Sequence, residues 1–241
     1  MSIADKLTQI ANGQQKVYDK GFAEGQKQGD GSYDRFWDAY QQNGTRTSYS
    51  IYEGGFAGPY WTDETFKPKY DMRVTNAQMM FRACRITDLR EETVGVSMDF
   101  SGCKSFNYAF AYSSGSLKYL PTIDISLATE LPNTFDGFGG EDLSLIVSET
   151  TKFTATTFSG VKNLKHLTIT GKIGVSLTLS SARNLSRASF EGLIGALSPN
   201  VTGQTLTLSE EAMADAFGDI NSQEWKDLVA TKPSGWTVTL I

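Results

Sequence analysis

The sequence predicts an α+β repeat protein: a short solenoid of stacked units with a helical stem and an aromatic cap before it and an α/β cap after it. A degenerate repeat through residues 75–185 is the first observation behind this prediction. The second is a composition rich in glycine, serine, threonine and aromatic residues, which favours many short strands and turns. We therefore divide the chain into a stem (1–32), an N-terminal cap (33–74), the solenoid (75–185) and a C-terminal cap (186–241).

The stem is predicted from a seam of residues spaced by four and three along a helix. Its members are Ile3, Leu7, Ile10, Gln14 and Val17. This is the heptad spacing of a coiled coil, in which one polar seam residue often fixes the register and the number of strands. We expect an oligomerisation or docking segment that makes the chain a homo-oligomer. The alternative is a frayed helix that lies on the domain.

The N-terminal cap is predicted from aromatic density, since residues 33–74 hold eleven aromatic side chains. A solenoid needs a cap over its first open core edge, and these rings are suited to form one. The alternative is an exposed platform that stacks on sugar rings or on a partner protein. Tyr52, Tyr60 and Trp61, which lie beside glycines, are the candidate ligand-binding residues for that alternative.

The solenoid is predicted from four frames that align on phenylalanines at steps of 29, 25 and 23 residues: Phe81, Phe110, Phe135 and Phe158. In each frame a Leu or Ile, a short spacer and a second Leu or Ile follow the phenylalanine. A unit of this size cannot bury its own apolar face, so neighbouring units are expected to stack, with the phenylalanines joined into a spine. The period falls in the leucine-rich-repeat range.

The first frame carries a resemblance to a known family. Residues 81–89, FRACRITDL, resemble the Phe-x-x-Cys-x-Leu-x-x-Ile core of BspA-like leucine-rich-repeat proteins. The other frames keep the phenylalanine and the apolar pair but lack the cysteine. The whole layout is also similar to leucine-rich-repeat proteins encoded by phages and prophages of gut Gram-positive bacteria. That similarity rests on YDRFWDAYQQNG (33–44), WTDETFKPKYD (61–71) and the ending WTVTLI (236–241).

The resemblance implies a BspA-like leucine-rich-repeat solenoid and a virion-associated structural or recognition protein of a phage, of tail, fibre or head-decoration type. The partners it implies are other virion proteins, or a protein or glycan of the host surface. It implies assembly in the host cytoplasm and location in the virion, and it brings no catalytic residues. The alternatives are a bacterial cell-surface adhesin, which should carry an export signal or wall anchor, and a carbohydrate-active enzyme.

The C-terminal cap is predicted from helix starts and alternating strands. Serine residues precede three helical stretches and act as N-caps there. The predicted elements are a helix from Ser186 to Leu197, a strand over 205–208, helices opened by Ser209 and Ser222, and a closing strand over 236–241.

Charge and histidine content exclude several functions. The chain has 22 Lys and Arg against 27 Asp and Glu, so it lacks the basic footprint of a nucleic-acid-binding protein. Its single histidine, His166, excludes a multi-histidine metal site and is expected to face outward from its repeat. The segment 136–142, DGFGGED, places the acids Asp136, Glu141 and Asp142 near glycines, and we call it the acid–glycine turn. We expect an exposed turn between repeats; the alternative is a cation site. We find no nucleophile elbow or phosphate loop, and we expect no enzyme activity and no cofactor.

The N-terminus lacks the apolar region of a signal peptide, so no secretion signal is expected. Cys84 and Cys103 are therefore interpreted as two reduced thiols of the core. No apolar run is long enough to span a bilayer, which predicts no membrane insertion.

Overall fold

The structure is a computed structural model that describes residues 56–59, 61–68, 71–113 and 115–241. Almost all described residues belong to one compact unit, which covers 49–67 and 71–241. The predicted seam residues Ile3, Leu7, Ile10, Gln14 and Val17 lie outside the described residues.

Short parallel strands recur along the described part of the chain, and its three longest helices are gathered towards the C-terminus. The strands are β1 (Met72–Arg73), β2 (Met98–Asp99), β3 (Ile123–Asp124), β4 (Asp142–Ile146), β5 (His166–Thr170), β6 (Leu177–Leu179), β7 (Gln204–Leu208) and β8 (Trp236–Leu240). The helices are α1 (Glu91–Val94), α2 (Arg187–Ala196), α3 (Glu210–Phe217) and α4 (Gln223–Ala230). The strands pair in the orders β1–β2, β3–β4–β5 and β6–β7–β8, every pair parallel.

A stack of five buried phenylalanines runs through the core. Successive ring centroids are 5.3, 5.9, 5.6 and 5.4 Å apart along the series Phe56, Phe81, Phe110, Phe135 and Phe158. The planes of neighbouring rings are within 22° of parallel. Four of these rings are the ones on which the sequence frames align. Phe56 adds a fifth, which the alignment missed.

Main-chain hydrogen bonds join each turn around a phenylalanine to the next turn. The N–H groups of alternate residues donate across the gap at 2.8–2.9 Å: Ala77 to Ser105, Met79 to Asn107, Phe81 to Ala109 and Ala83 to Ala111. The intervening N–H groups donate within their own unit and so close the turn; the Met80 N–H, for example, donates to the Ala77 carbonyl. The same neighbouring unit therefore packs against the phenylalanine ring and supplies hydrogen-bond partners for the main chain of the turn.

The turns share an uncommon backbone conformation. The residue two positions after the phenylalanine is left-handed in every unit, as Gly58, Ala83, Tyr112, Gly137 and Gly160. Non-glycine residues lose about 1–2 kcal/mol in this conformation. Ala83 and Tyr112 nevertheless both have a φ of 56°. Stacking of the units therefore imposes this turn even where the residue type disfavours it.

The C-terminal helices begin where the serines predict. Ser186, Ser209 and Ser222 each accept a hydrogen bond from the N–H three residues later, at the starts of α2, α3 and α4. The apolar faces of these helices meet at a cluster of three rings 5.4–5.8 Å apart: Phe190, Phe217 and Trp225. The indole N–H of Trp236, at the start of β8, donates to the Ser198 carbonyl at 2.9 Å.

Cys84 and Cys103 are free and buried, which confirms the prediction of reduced core thiols. Burial raises the pKa of the Cys84 thiol to about 11 and that of the Cys103 thiol to about 12. Both side chains therefore stay neutral and act as small apolar groups at physiological pH. Among the described residues, no helix is long and apolar enough to cross a membrane.

Candidate recognition surface

One exposed cluster combines an arginine with two tyrosines, and we name it the Arg–Tyr surface: Arg82, Tyr108 and Tyr112. The two phenol rings lie 5.9 Å apart and are nearly parallel, at 25°. The Arg82 guanidinium carbon lies 5.6 Å from the centre of the Tyr108 ring and 5.2 Å from that of Tyr112. Tyr112 is 47% exposed, which is high for a ring of this size.

The repeat geometry places this cluster on the outside of the stack. Phe110 points into the core between the two tyrosines, and both tyrosines have left-handed φ values of 55–56°. Arg82 occupies the equivalent turn of the preceding unit, which is held to this one by the Ala83 N–H on the Ala111 carbonyl at 2.8 Å. The three side chains therefore come from two stacked turns.

In the absence of a partner, the Arg82 guanidinium already lies against both tyrosine rings. Each cation–π contact at an exposed site stabilises its pair by about 0.5–1 kcal/mol. A side chain already held in place loses less conformational entropy on binding, and this improves affinity. This arrangement can bind a partner through stacking and through the hydrogen-bond donors of the guanidinium.

A second arginine–tyrosine contact is built on a buried carboxylate. Arg90 holds Asp88 with two hydrogen bonds of 2.6 and 3.0 Å, and the Thr93 hydroxyl donates to the same carboxylate at 2.8 Å. The guanidinium carbon lies 4.4 Å from the centre of the Tyr119 ring, which is 44% exposed. Asp88 itself is only 8% exposed. Its role is to position Arg90 beneath an exposed ring.

Hydrogen bonds from Arg90, outweighing desolvation, lower the pKa of Asp88 to about 2. The folded-state pKa is thus below that of an unfolded aspartate, so the carboxylate stabilises the fold above pH 4, and this contribution is lost as the pH falls through 2. We expect about 2 kcal/mol of the free energy of unfolding to be lost between pH 5 and pH 2 through this group. Urea unfolding at several pH values measures the loss.

Asp88→Asn should show a smaller loss over that pH range than the wild type, whereas Asp215→Asn, a change at an exposed carboxylate of α3, should leave the wild-type pH dependence in place. A loss in Asp88→Asn equal to that of the wild type would assign the acid sensitivity to other groups.

The aromatic platform, which was the alternative to a cap, is wrong for Trp61. Its side chain is 3% exposed and contacts Phe56 and Phe66 edge to face, with centroids 5.1 and 6.3 Å away. A ring covered in this way offers no face to a sugar. It closes the first end of the phenylalanine stack instead. Tyr52 and Tyr60 lie outside the described residues.

His166 is an exposed side chain at the start of β5. Its Nδ1 lies 3.3 Å from the hydroxyl of Ser186, which also accepts the hydrogen bond that caps α2. Asp142 is its register partner on β4, yet no carboxylate of the described residues lies within 4.0 Å of the imidazole. The geometry is that of a hydrogen-bonded surface histidine, as the sequence predicted.

The described residues contain no group of three or more His, Cys, Asp or Glu side chains that could hold a metal ion. In the acid–glycine turn, Asp142 lies on β4 in register with His166, while the Oδ1 of Asp136 lies beside Gly160 of the next unit.

The Arg–Tyr surface escaped the sequence analysis, although a signal for it was present. Tyr108 and Tyr112 bracket Phe110 at two residues on either side, and every turn places these positions outside the core. Once the buried phenylalanine of each turn is identified, the exposure of these two tyrosines is predictable from their positions. Arg82 is not, because its contact with the rings depends on the register between two units.

No protein-family model, curated protein or solved structure matches this chain.

Proposed function

We propose that this chain is a non-enzymatic recognition protein, in which a short leucine-rich-repeat solenoid of BspA-like type presents the Arg–Tyr surface to a protein partner. The observation that carries the proposal is the stack of Arg82 on Tyr108 and Tyr112. Arginine and tyrosine are enriched among the residues that dominate the binding energy of protein interfaces.

The net charge of the stacked units favours a partner that is recognised by its shape rather than by long-range electrostatic attraction. Residues 75–185 hold ten basic and ten acidic side chains, so the stacked units carry no net charge. Long-range steering by a charged surface is then weak, and specificity depends on contacts at short range. Tyrosine rings and a guanidinium supply such contacts with little loss of conformational entropy.

The location we propose is a phage virion, as a tail, fibre or head-decoration component. Its partner is then another virion protein or a protein of the host surface, and residues 1–32 supply a homo-oligomeric stem. This part of the proposal is supported by the resemblance of segments 33–44 and 61–71 and by the heptad seam. Immunodetection of the chain in purified phage particles tests the location, and detection only in a secreted or wall fraction would favour the adhesin.

Tyr112→Ala and Arg82→Ala are expected to weaken partner binding by about tenfold or more, because each removes one member of the stack. The measurement is affinity capture by the immobilised full chain from solubilised phage particles and from host surface extract, with recovered proteins quantified by mass spectrometry. A protein recovered by the wild type and lost with both variants is the expected result.

Leu127→Ala is the matched control, since Leu127 is 52% exposed and lies outside the Arg–Tyr surface. It should recover the same protein as the wild type. Equal recovery by the wild type and by all three variants would reject the Arg–Tyr surface as the binding site. Binding of purified glycans that is lost with Tyr112→Ala would replace the protein partner by a glycan.

A further inference from the structure

An open groove of about 690 Å³ lies at the carboxyl ends of β6, β7 and β8. Ser180 and Ser181 follow β6, Glu210 follows β7, and Ile241 follows β8, so each of the three parallel strands contributes to the same groove. Loops at this end of parallel strands are where α/β folds place their ligands. The volume falls within the range of small-molecule sites.

Contacts between main chain and side chains hold the groove in shape. The Glu210 N–H donates to the Ile241 carbonyl at 3.1 Å and fixes the end of β8 to the start of α3. The Asn184 side chain donates to the Lys162 carbonyl at 2.6 Å and fixes the Phe158 turn to the loop after β6. Its walls are therefore present without a ligand.

Both signs of charge line the groove. Lys162 and Arg183 stand against Glu210 and Glu211, and Arg183 pairs with Glu211 at 3.6 Å. In the described part of the chain, Lys162 has no ion-pair partner. A groove in which cations and carboxylates lie side by side offers both hydrogen-bond donors and acceptors. It favours a neutral ligand that both donates and accepts hydrogen bonds.

We propose that this groove binds a neutral sugar unit of a glycan. Sugar hydroxyls donate to the Glu210 carboxylate and accept from Arg183 and Lys162, and hydrogen bonds to charged groups are the stronger kind. Ala214 and the 66% exposed Ile241 supply an apolar wall for the C–H face of the ring. The groove shares no residue with the Arg–Tyr surface, and its test is independent of the proposed function.

The experiment is a titration of the ¹⁵N-labelled full chain with glucose, galactose and N-acetylglucosamine, followed by amide chemical shifts. We expect at least one sugar to shift the amides of Ser180, Ser181 and Glu210, with a Kd of about 1 mM, as is common for a single unit in an open site. Arg183→Ala and Glu210→Ala should each weaken binding by about tenfold. Asp215→Ala, which removes a carboxylate of the same helix outside the groove, should leave the Kd unchanged.

Three outcomes overturn the proposal. The first is the absence of shifts in the groove with every sugar. The second is tighter binding of inorganic phosphate than of any sugar, with loss in Lys162→Ala, which would make the groove an anion site. The third is sugar-dependent shifts confined to Tyr108 and Tyr112, which would place sugar binding on the Arg–Tyr surface. The spectrum of each variant reports whether it is folded.

Discussion

Phe110→Ala is expected to lower the free energy of unfolding by about 3–5 kcal/mol. The Phe110 side chain is fully buried and lies between Phe81 and Phe135, with centroids 5.9 and 5.6 Å away and planes within 10°. Truncation opens a cavity in the middle of the stack and removes both stacking contacts, together with the edge contact to Phe100 at 6.1 Å. Because main-chain bonds of the same turn hold the neighbouring units at a fixed distance, the cavity cannot close by collapse.

Urea unfolding of the full chain measures this loss, and two further variants keep the test decisive. Phe153→Ala removes a half-buried ring that touches only the side of the stack, through Phe158 at 5.9 Å, and should cost clearly less. Phe110→Leu keeps most of the volume and should cost about 1.5 kcal/mol or less. Equal losses in Phe110→Ala and Phe153→Ala would mean that the stack is not the stabilising core of the unit.

Gly171→Ala is expected to lower the free energy of unfolding by about 3 kcal/mol or more, from two sources. Gly171 has a φ of +109°, a conformation that residues with a side chain rarely adopt. A Cβ there would also overlap the carbonyl oxygen of Val147 in the adjacent unit. The Val147 N–H donates to the Thr170 carbonyl at 2.9 Å. The two segments therefore cannot move apart to make room for the Cβ without losing this main-chain hydrogen bond.

Gly192→Ala is the matched control for this substitution. Gly192 lies within α2, and a Cβ added there meets nothing within 4 Å. Alanine is the better helix former, so Gly192→Ala should raise the free energy of unfolding by about 0.5–1 kcal/mol. If both glycine variants unfolded at the same urea concentration, the close approach at Gly171 would not constrain the fold.

The parts of the structure that follow local rules were predictable from the sequence. A serine before a helical stretch caps it through its own hydroxyl, and this depends on residues three positions apart, as at Ser186 and Ser209. The phenylalanine spacing was also readable, because a repeated unit must place equivalent residues in equivalent positions. Phe56 was missed because it lies among many aromatic residues that obscure its frame.

Which aromatic side chains are exposed to solvent was not predictable from the sequence. Trp61 and Tyr112 are both aromatic residues beside turns, yet one is 3% and the other 47% exposed. The difference arises from which unit covers each ring, and covering depends on contacts between residues far apart in sequence. The groove was not predictable for the same reason. Its charged side chains come from three segments that are far apart in sequence and meet only in the folded chain.

The phenylalanine stack also bears on how such a chain can change in length. Each turn is bonded to the turn before it and the turn after it through the same main-chain pattern, with steps of 23 to 29 residues between rings. Duplication of one whole step inserts a copy whose two faces already match its neighbours. Duplication or deletion of the step around Phe135, which contributes no residue to the Arg–Tyr surface or to the groove, would therefore alter the number of stacked turns while leaving both sites intact.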